Sequence, residues 1–131
     1  MKKPIYIFFF LFLISCNESL KVDFKKDYEA FDYYNCLILK NYTINQNLTI
    51  YNSLCKNSSI DSIPELKKFA NKHKIIIISI YINGDIMYVK NRNFFKNEVL
   101  IYRTSKQAFS NFEKFESISH RWYYKVVELI D

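Results

Sequence analysis

KIIIISIYINGDIMYVK, Lys74–Lys90, is the stretch on which the fold turns. Ile75–Ile82 is β-branched and apolar almost throughout, and Ile86–Val89 is a second such run. Between them stands Asn83-Gly84, which supplies the positive φ that a tight hairpin needs. A two-residue turn sets the register. Ile82 then faces Asp85, Ile80 faces Met87 and Ile78 faces Val89 on one side. Tyr81 faces Ile86, Ser79 faces Tyr88 and Ile77 faces Lys90 on the other. The first side is the expected core. The second is amphipathic, half wet or free to bind a partner.

Gly84 is the only glycine among 131 residues. That excludes Gly-rich phosphate loops, dinucleotide fingerprints and collagen-like repeats.

On the N-terminal side, Asp23–Lys40 places Phe24, Tyr28, Phe31, Asn35 and Ile38 at alternating steps of four and three. This is the stripe of an amphipathic helix, with Asp23 as its N-cap. Residues 41–60 are polar and Asn-rich. A loop with a short helix is expected there, a small hairpin using Leu48–Tyr51 being the alternative. Asp61–Lys74 reads as a helix, with Pro64 in its first turn, Glu65 near its start and Lys72, His73 and Lys74 near its end. Beyond the hairpin, Val99–Thr104 is a strand, Gln107–Glu116 carries phenylalanines at helical steps, and Trp122–Leu129 is a final strand. The expected fold is α+β: two or three helices packed on one face of a roughly four-stranded antiparallel sheet.

The first 16 residues follow a different logic. Lys2 and Lys3 precede an unbroken apolar run, Ile5–Ile14. A spanning helix needs about 20 residues, so this run has the length of a signal-peptide core instead. It ends in Leu13-Ile14-Ser15-Cys16, which resembles the lipobox of bacterial lipoproteins. The resemblance implies cleavage before Cys16 and acylation of that cysteine. The expected organisation is a signal peptide over 1–15, a lipidated tether over 16–22 and a single small domain over 23–131. Asn17 follows the cysteine where an aspartate would favour inner-membrane retention, so in a two-membrane cell the outer membrane is favoured.

The full chain has 19 Lys+Arg against 13 Asp+Glu, a net +6. Removal of residues 1–15 takes two lysines away and leaves +4 on 116 residues. So small a charge, with no arginine cluster, argues against nucleic acid as a partner. The 11 Tyr and 12 Phe accompany a scarcity of Gly and Pro. AT-rich codon usage produces this skew by itself, so aromatic abundance is weak evidence for a stacking surface.

With Cys16 acylated, Cys36 and Cys55 remain. In an oxidising compartment they suggest a disulfide closing an 18-residue loop, worth about 3 kcal/mol in the chain-entropy model. Two separate thiols are the alternative. His73 and His120 lack a Cys or carboxylate at ligand spacing, so no metal or other cofactor is expected. The acidic residues have helix-surface spacing rather than that of an acid/base pair.

The cluster most able to bind is aromatic and basic: Tyr81, Tyr88, Arg103, Arg121 and Tyr123, all on expected strands. It suits an envelope protein or a glycan. The functional expectation is a membrane-anchored envelope lipoprotein with a non-enzymatic binding or structural domain. The alternative is a self-protection lipoprotein of the immunity type, which neutralises a toxin or hydrolase. A Cys16→Ser variant should lose palmitate labelling and leave the membrane fraction. Unchanged labelling would show that the address has been misread.

Overall fold

The central hairpin forms, but with one more residue in its turn. The structure is a computed structural model, and it describes residues 18–41, 47–52, 59–93, 95–104 and 115–129. The Tyr81 N–H donates to the Asp85 carbonyl at 2.9 Å, and the Gly84 N–H donates to the Tyr81 carbonyl at 2.8 Å. Gly84 has φ +90°, whereas Asn83 does not take positive φ. The loop is therefore the three-residue kind, a turn closed by a left-handed glycine, rather than the two-residue kind with two such residues.

Its register is Ile80↔Ile86, Ser79↔Met87, Ile78↔Tyr88 and Ile77↔Val89. A shift of one residue exchanges the faces of the second strand. Ile86 and Tyr88 join Ile78 and Ile80 in the core, all at most 1% exposed. Met87 and Val89 go to the other face. This corrects the expected pairing.

Contacts across the turn show why. The Asp85 carboxylate accepts from the Thr104 N–H at 2.8 Å and from the Thr104 hydroxyl at 3.0 Å. The same hydroxyl lies 2.7 Å from the Asn83 carbonyl. The turn is pinned to the end of a neighbouring strand, a partner that no local reading contains.

The sheet has six strands, all antiparallel: β1 Leu48–Tyr51, β2 Ile75–Ile80, β3 Ile86–Asn93, β4 Lys96–Tyr102, β5 Glu116–Ser119 and β6 Trp122–Glu128. Their spatial order is β1-β2-β3-β4-β6-β5. Two short strands at the edges thus extend the expected four. Leu48–Tyr51 is a strand and not part of a helix, because Leu48 and Ile50 complete the apolar face beside Ile80 and Ile78. Glu116, expected at the end of a helix, opens β5. The rest of that expected helix lies outside the described residues, save Phe115.

The expected helix Asp23–Lys40 divides in two. α1 is Leu20–Lys26, and its N-cap is Ser19, whose hydroxyl accepts from the Val22 N–H. Asp27, at φ −128° and ψ 36°, breaks the helix. α2 is Tyr28–Asn41. α3 is Pro64–Lys72, preceded by a 3-10 turn at Ser59–Ser62. Leu20 is fully buried in α1, so residues 20–22 belong to the helical layer.

The helices cover the sheet face built from Ile50, Ile78, Ile80, Ile86, Tyr88, Leu100, Trp122 and Tyr124. Phe31 is the hub. Its ring lies 4.8 Å from Phe69 of α3, 5.9 Å from Tyr88 and 6.1 Å from Trp122, each edge-on. Edge-on ring pairs add about 0.5–1.5 kcal/mol beyond burial.

A Gly84→Ala change should destabilise the domain by about 1–3 kcal/mol. Its Cβ would meet Thr104 Cγ2 at 3.2 Å, and φ +90° is strained for any L side chain. Urea melts compare the two proteins, and equal midpoints would show that the turn tolerates a side chain.

Candidate functional site: an ionic seam and a divided sheet face

Once β3 takes its observed register, a lysine stands on the core face. Lys90 follows Ile86 and Tyr88 there, and its cross-strand neighbour in β4 is Glu98. Both are buried, at 5% and 0% exposure. A charge so deep in a fold persists only with partners.

Glu98 Oε1 accepts from the Leu20 N–H at 2.9 Å and from the Tyr124 hydroxyl at 2.5 Å, with Arg92 Nη1 at 3.5 Å. The carboxylate thus satisfies one of the orphan N–H groups at the start of α1 from across the core. Glu98 Oε2 has no hydrogen-bond partner among the described residues. Burial, together with the hydrogen bond and charge of Glu98, pushes the Tyr124 hydroxyl above the usual phenol range.

The Lys90 ammonium donates to the Glu18 carbonyl and lies 3.5 Å from Asp23 Oδ2. From Asp23 the seam continues through a buried imidazole. His73 Nδ1 is 3.7 Å from Asp23 Oδ2, and His73 Nε2 is 3.0 Å from Asp27 Oδ2. Lys72 closes the line at 3.0 Å from Asp27. Burial alone would raise the Asp23 carboxyl, but the His73 hydrogen bond and the Lys90 charge outweigh it and hold it below the ordinary value. The Lys72 hydrogen bond does the same for Asp27, with His73 adding to it against a smaller burial effect.

The seam joins α1, α2, α3, β3 and β4. Apart from the buried Glu98 Oε2, its charged groups are paired with one another, and the pairing fastens the helices to the sheet. Among the described residues, no group of three or more His, Cys, Asp or Glu is placed to hold a metal ion.

The expected aromatic-basic face is divided. Tyr88 is on the helix side, fully buried, with its hydroxyl donating to Asn35 Oδ1. Burial raises that phenol far above its usual range. Arg103 is also buried, with Nε 3.6 Å from Asp85 Oδ2. Both residues therefore leave the proposed exposed set, Tyr88 through the register shift and Arg103 through its place beside the turn.

Tyr81 and Tyr123 are half-buried on the face away from the helices, where Tyr123 follows Ile101 and Met87 along one cross-strand row. The centre of that face is covered: Val89, Val99 and Ile101 are 6–8% exposed. Arg121 sits in the turn between β5 and β6 at φ +67°, with Nη1 donating to the Thr104 carbonyl at 3.2 Å. Tyr81, Ile82, exposed His120 and Arg121 thus lie at the sheet end that carries the β2–β3 turn.

Cys36 is exposed on α2 as a free thiol. Cys55 and Cys16 lie outside the described residues.

Sequence reading missed the seam. Lys90 is legible as a charge at the end of an apolar strand, but Glu98 precedes the expected strand Val99–Thr104, and only the observed register turns Lys90 inward to face it. His73 was read as a cation at a helix end; its two carboxylate partners come from α1 and from the break after it. Comparisons with protein-family models, curated proteins and solved structures find no match.

An Asp23→Asn change should test the seam. A carboxyl held below its ordinary value stabilises the fold in full above about pH 4 and loses that contribution as pH falls toward its folded value. At pH 7 the variant should be less stable by about 1.5–3 kcal/mol, the range for hydrogen bonds to charged groups. The two stability curves should converge as pH falls through the lowered folded value. A difference independent of pH would mean that Asp23 acts by packing alone.

Proposed function

We propose that this chain is an envelope lipoprotein, acylated at Cys16, whose domain binds a partner and performs no chemistry. One juxtaposition carries the reading. The lipobox-like segment ends at Cys16, and the fold is already fastened at Glu18, Ser19 and Leu20. A fold that begins after Cys16 is compatible with cleavage before that residue and its acylation. No described helix is long and apolar enough to cross a membrane, which is compatible with a lipid as the anchor.

The seam supports binding over catalysis: its charged groups are engaged with one another, and Glu98, whose Oε2 lacks a partner among the described residues, is fully buried, whereas a general acid or base must be within reach of substrate. The binding surface in this reading is the rim around the β2–β3 turn. There Ile82 is 62% exposed beside Tyr81, His120 and Arg121. An exposed aliphatic flanked by an aromatic and a guanidinium is a composition that protein contacts favour.

A photocrosslinking residue at position 82, introduced in intact cells, tests the reading. A discrete adduct that an Arg121→Ala change weakens is the expected result. A membrane-bound protein that gives no adduct from position 82 would overturn the binding rim.

A further inference from the structure

Resting on the lipid-anchor reading, we infer that the tip of the β3–β4 hairpin is a second membrane contact, which docks the domain on an anionic bilayer in one orientation.

The first observation is where the chain leaves the fold. Only Asn17 separates Cys16 from Glu18, so the Cα of an acylated Cys16 lies within about 7 Å of that of Glu18. The Lys90 ammonium holds the Glu18 carbonyl, and Glu98 holds the Leu20 N–H. Lys90 and Glu98 pair in the sheet a few residues before the tip, where Asn93 faces Lys96. That row is about 10 Å from the tip at strand spacing. The lipid is thus confined to the β3–β4 end of the sheet and excluded from the β2–β3 end.

The second observation is what this end exposes. Phe95 is 57% exposed, Leu129 is 49% and Val126 is 39%. Phe95 and Leu129 are neighbours, the Leu129 N–H donating to the Phe95 carbonyl at 2.7 Å, while Val126, the cross-strand partner of Glu98, lies at the same end of the sheet on its helix side. Arg92 and Lys96 flank Phe95 on the hairpin, and both are exposed. Among the described residues, the exposed carboxylate that stands against them at this end is Glu128, the cross-strand partner of Lys96.

Apolar side chains rimmed by cations match the boundary between acyl chains and anionic headgroups. A lipid anchor by itself leaves the domain free to pivot, so a second, protein-borne contact near the acylated residue fixes its orientation. Docked in this way, the domain directs the rim around Ile82 away from the membrane.

The test uses the full lipidated chain in vesicles of phosphatidylethanolamine and phosphatidylglycerol with brominated acyl chains. Phe95→Trp places a reporter at the tip and Ile82→Trp places one at the far end. The buried Trp122 supplies a constant background, measured in the parent protein. Emission from Trp at position 95 should shift to the blue and fall about twofold on brominated lipid, as interfacial indoles do, while that from position 82 stays unchanged. Leu129→Trp repeats the measurement from β6 if a tip substitution disturbs the hairpin.

Flotation of the same samples reads the anchor separately. Vesicle-bound protein without quenching at positions 95 and 129 would overturn the docking contact and leave the lipid anchor standing. Protein that fails to float would overturn the anchor and the contact together.

Discussion

The Glu98 carboxylate, buried beneath the start of α1, is the constraint on which the rest of the structure depends. Its hydrogen bond from the Leu20 N–H sets where α1 begins on the sheet. That position seats Phe24 against Trp122, with ring centroids 4.9 Å apart. It also brings Asp23 to Lys90 and His73. Desolvating a carboxylate and an ammonium is costly, and apolar replacements often stabilise a fold as well or better. The gain here is therefore one of position. A helix of seven residues has little intrinsic stability, and an apolar stripe alone would let it slide. Directional bonds to Glu98 and Lys90 permit one seat.

The seam also accounts for the break at Asp27. A continuous helix from Ser19 would keep Asp23 and Asp27 on one face, four residues apart. With the chain interrupted, the Asp27 carbonyl accepts from the Ala30 and Phe31 N–H groups and starts α2. Its carboxylate meanwhile turns to Lys72 and His73 at the end of α3. The imidazole between the two aspartates ties the end of α3 to α1 and to the start of α2. Lys72 sits near the C-terminal end of α3, where the helix dipole already favours a cation.

Much of this fold was legible. The stripe of Phe24, Phe31, Asn35 and Ile38 is buried as its spacing requires, although Tyr28 is exposed. Pro64 opens α3, and Trp122 and Tyr124 share the core face of β6. What escaped was parity. Asn-Gly is the signature of a two-residue turn, and local preference points there. Thr104 and Arg103 engage Asp85 and Asn83 and favour the longer loop. One residue of slippage moves Tyr88 from a surface into the core and turns Lys90 inward. Of the five residues of the expected binding face, that single step buries Tyr88.

By itself, the sequence determined the class of the fold and the places of α3 and the central hairpin. These features depend on periodicity, turn-forming residues and short contiguous motifs, all of which are local. Only the tertiary structure decided the register of β3, the burial of Lys90, Glu98 and His73, and which of Tyr81, Tyr88, Arg103, Arg121 and Tyr123 meet solvent. Those outcomes depend on contacts between residues up to 78 positions apart, as between Leu20 and Glu98. A buried charge is tolerated only where such partners converge, and no local pattern of residue types states that they will.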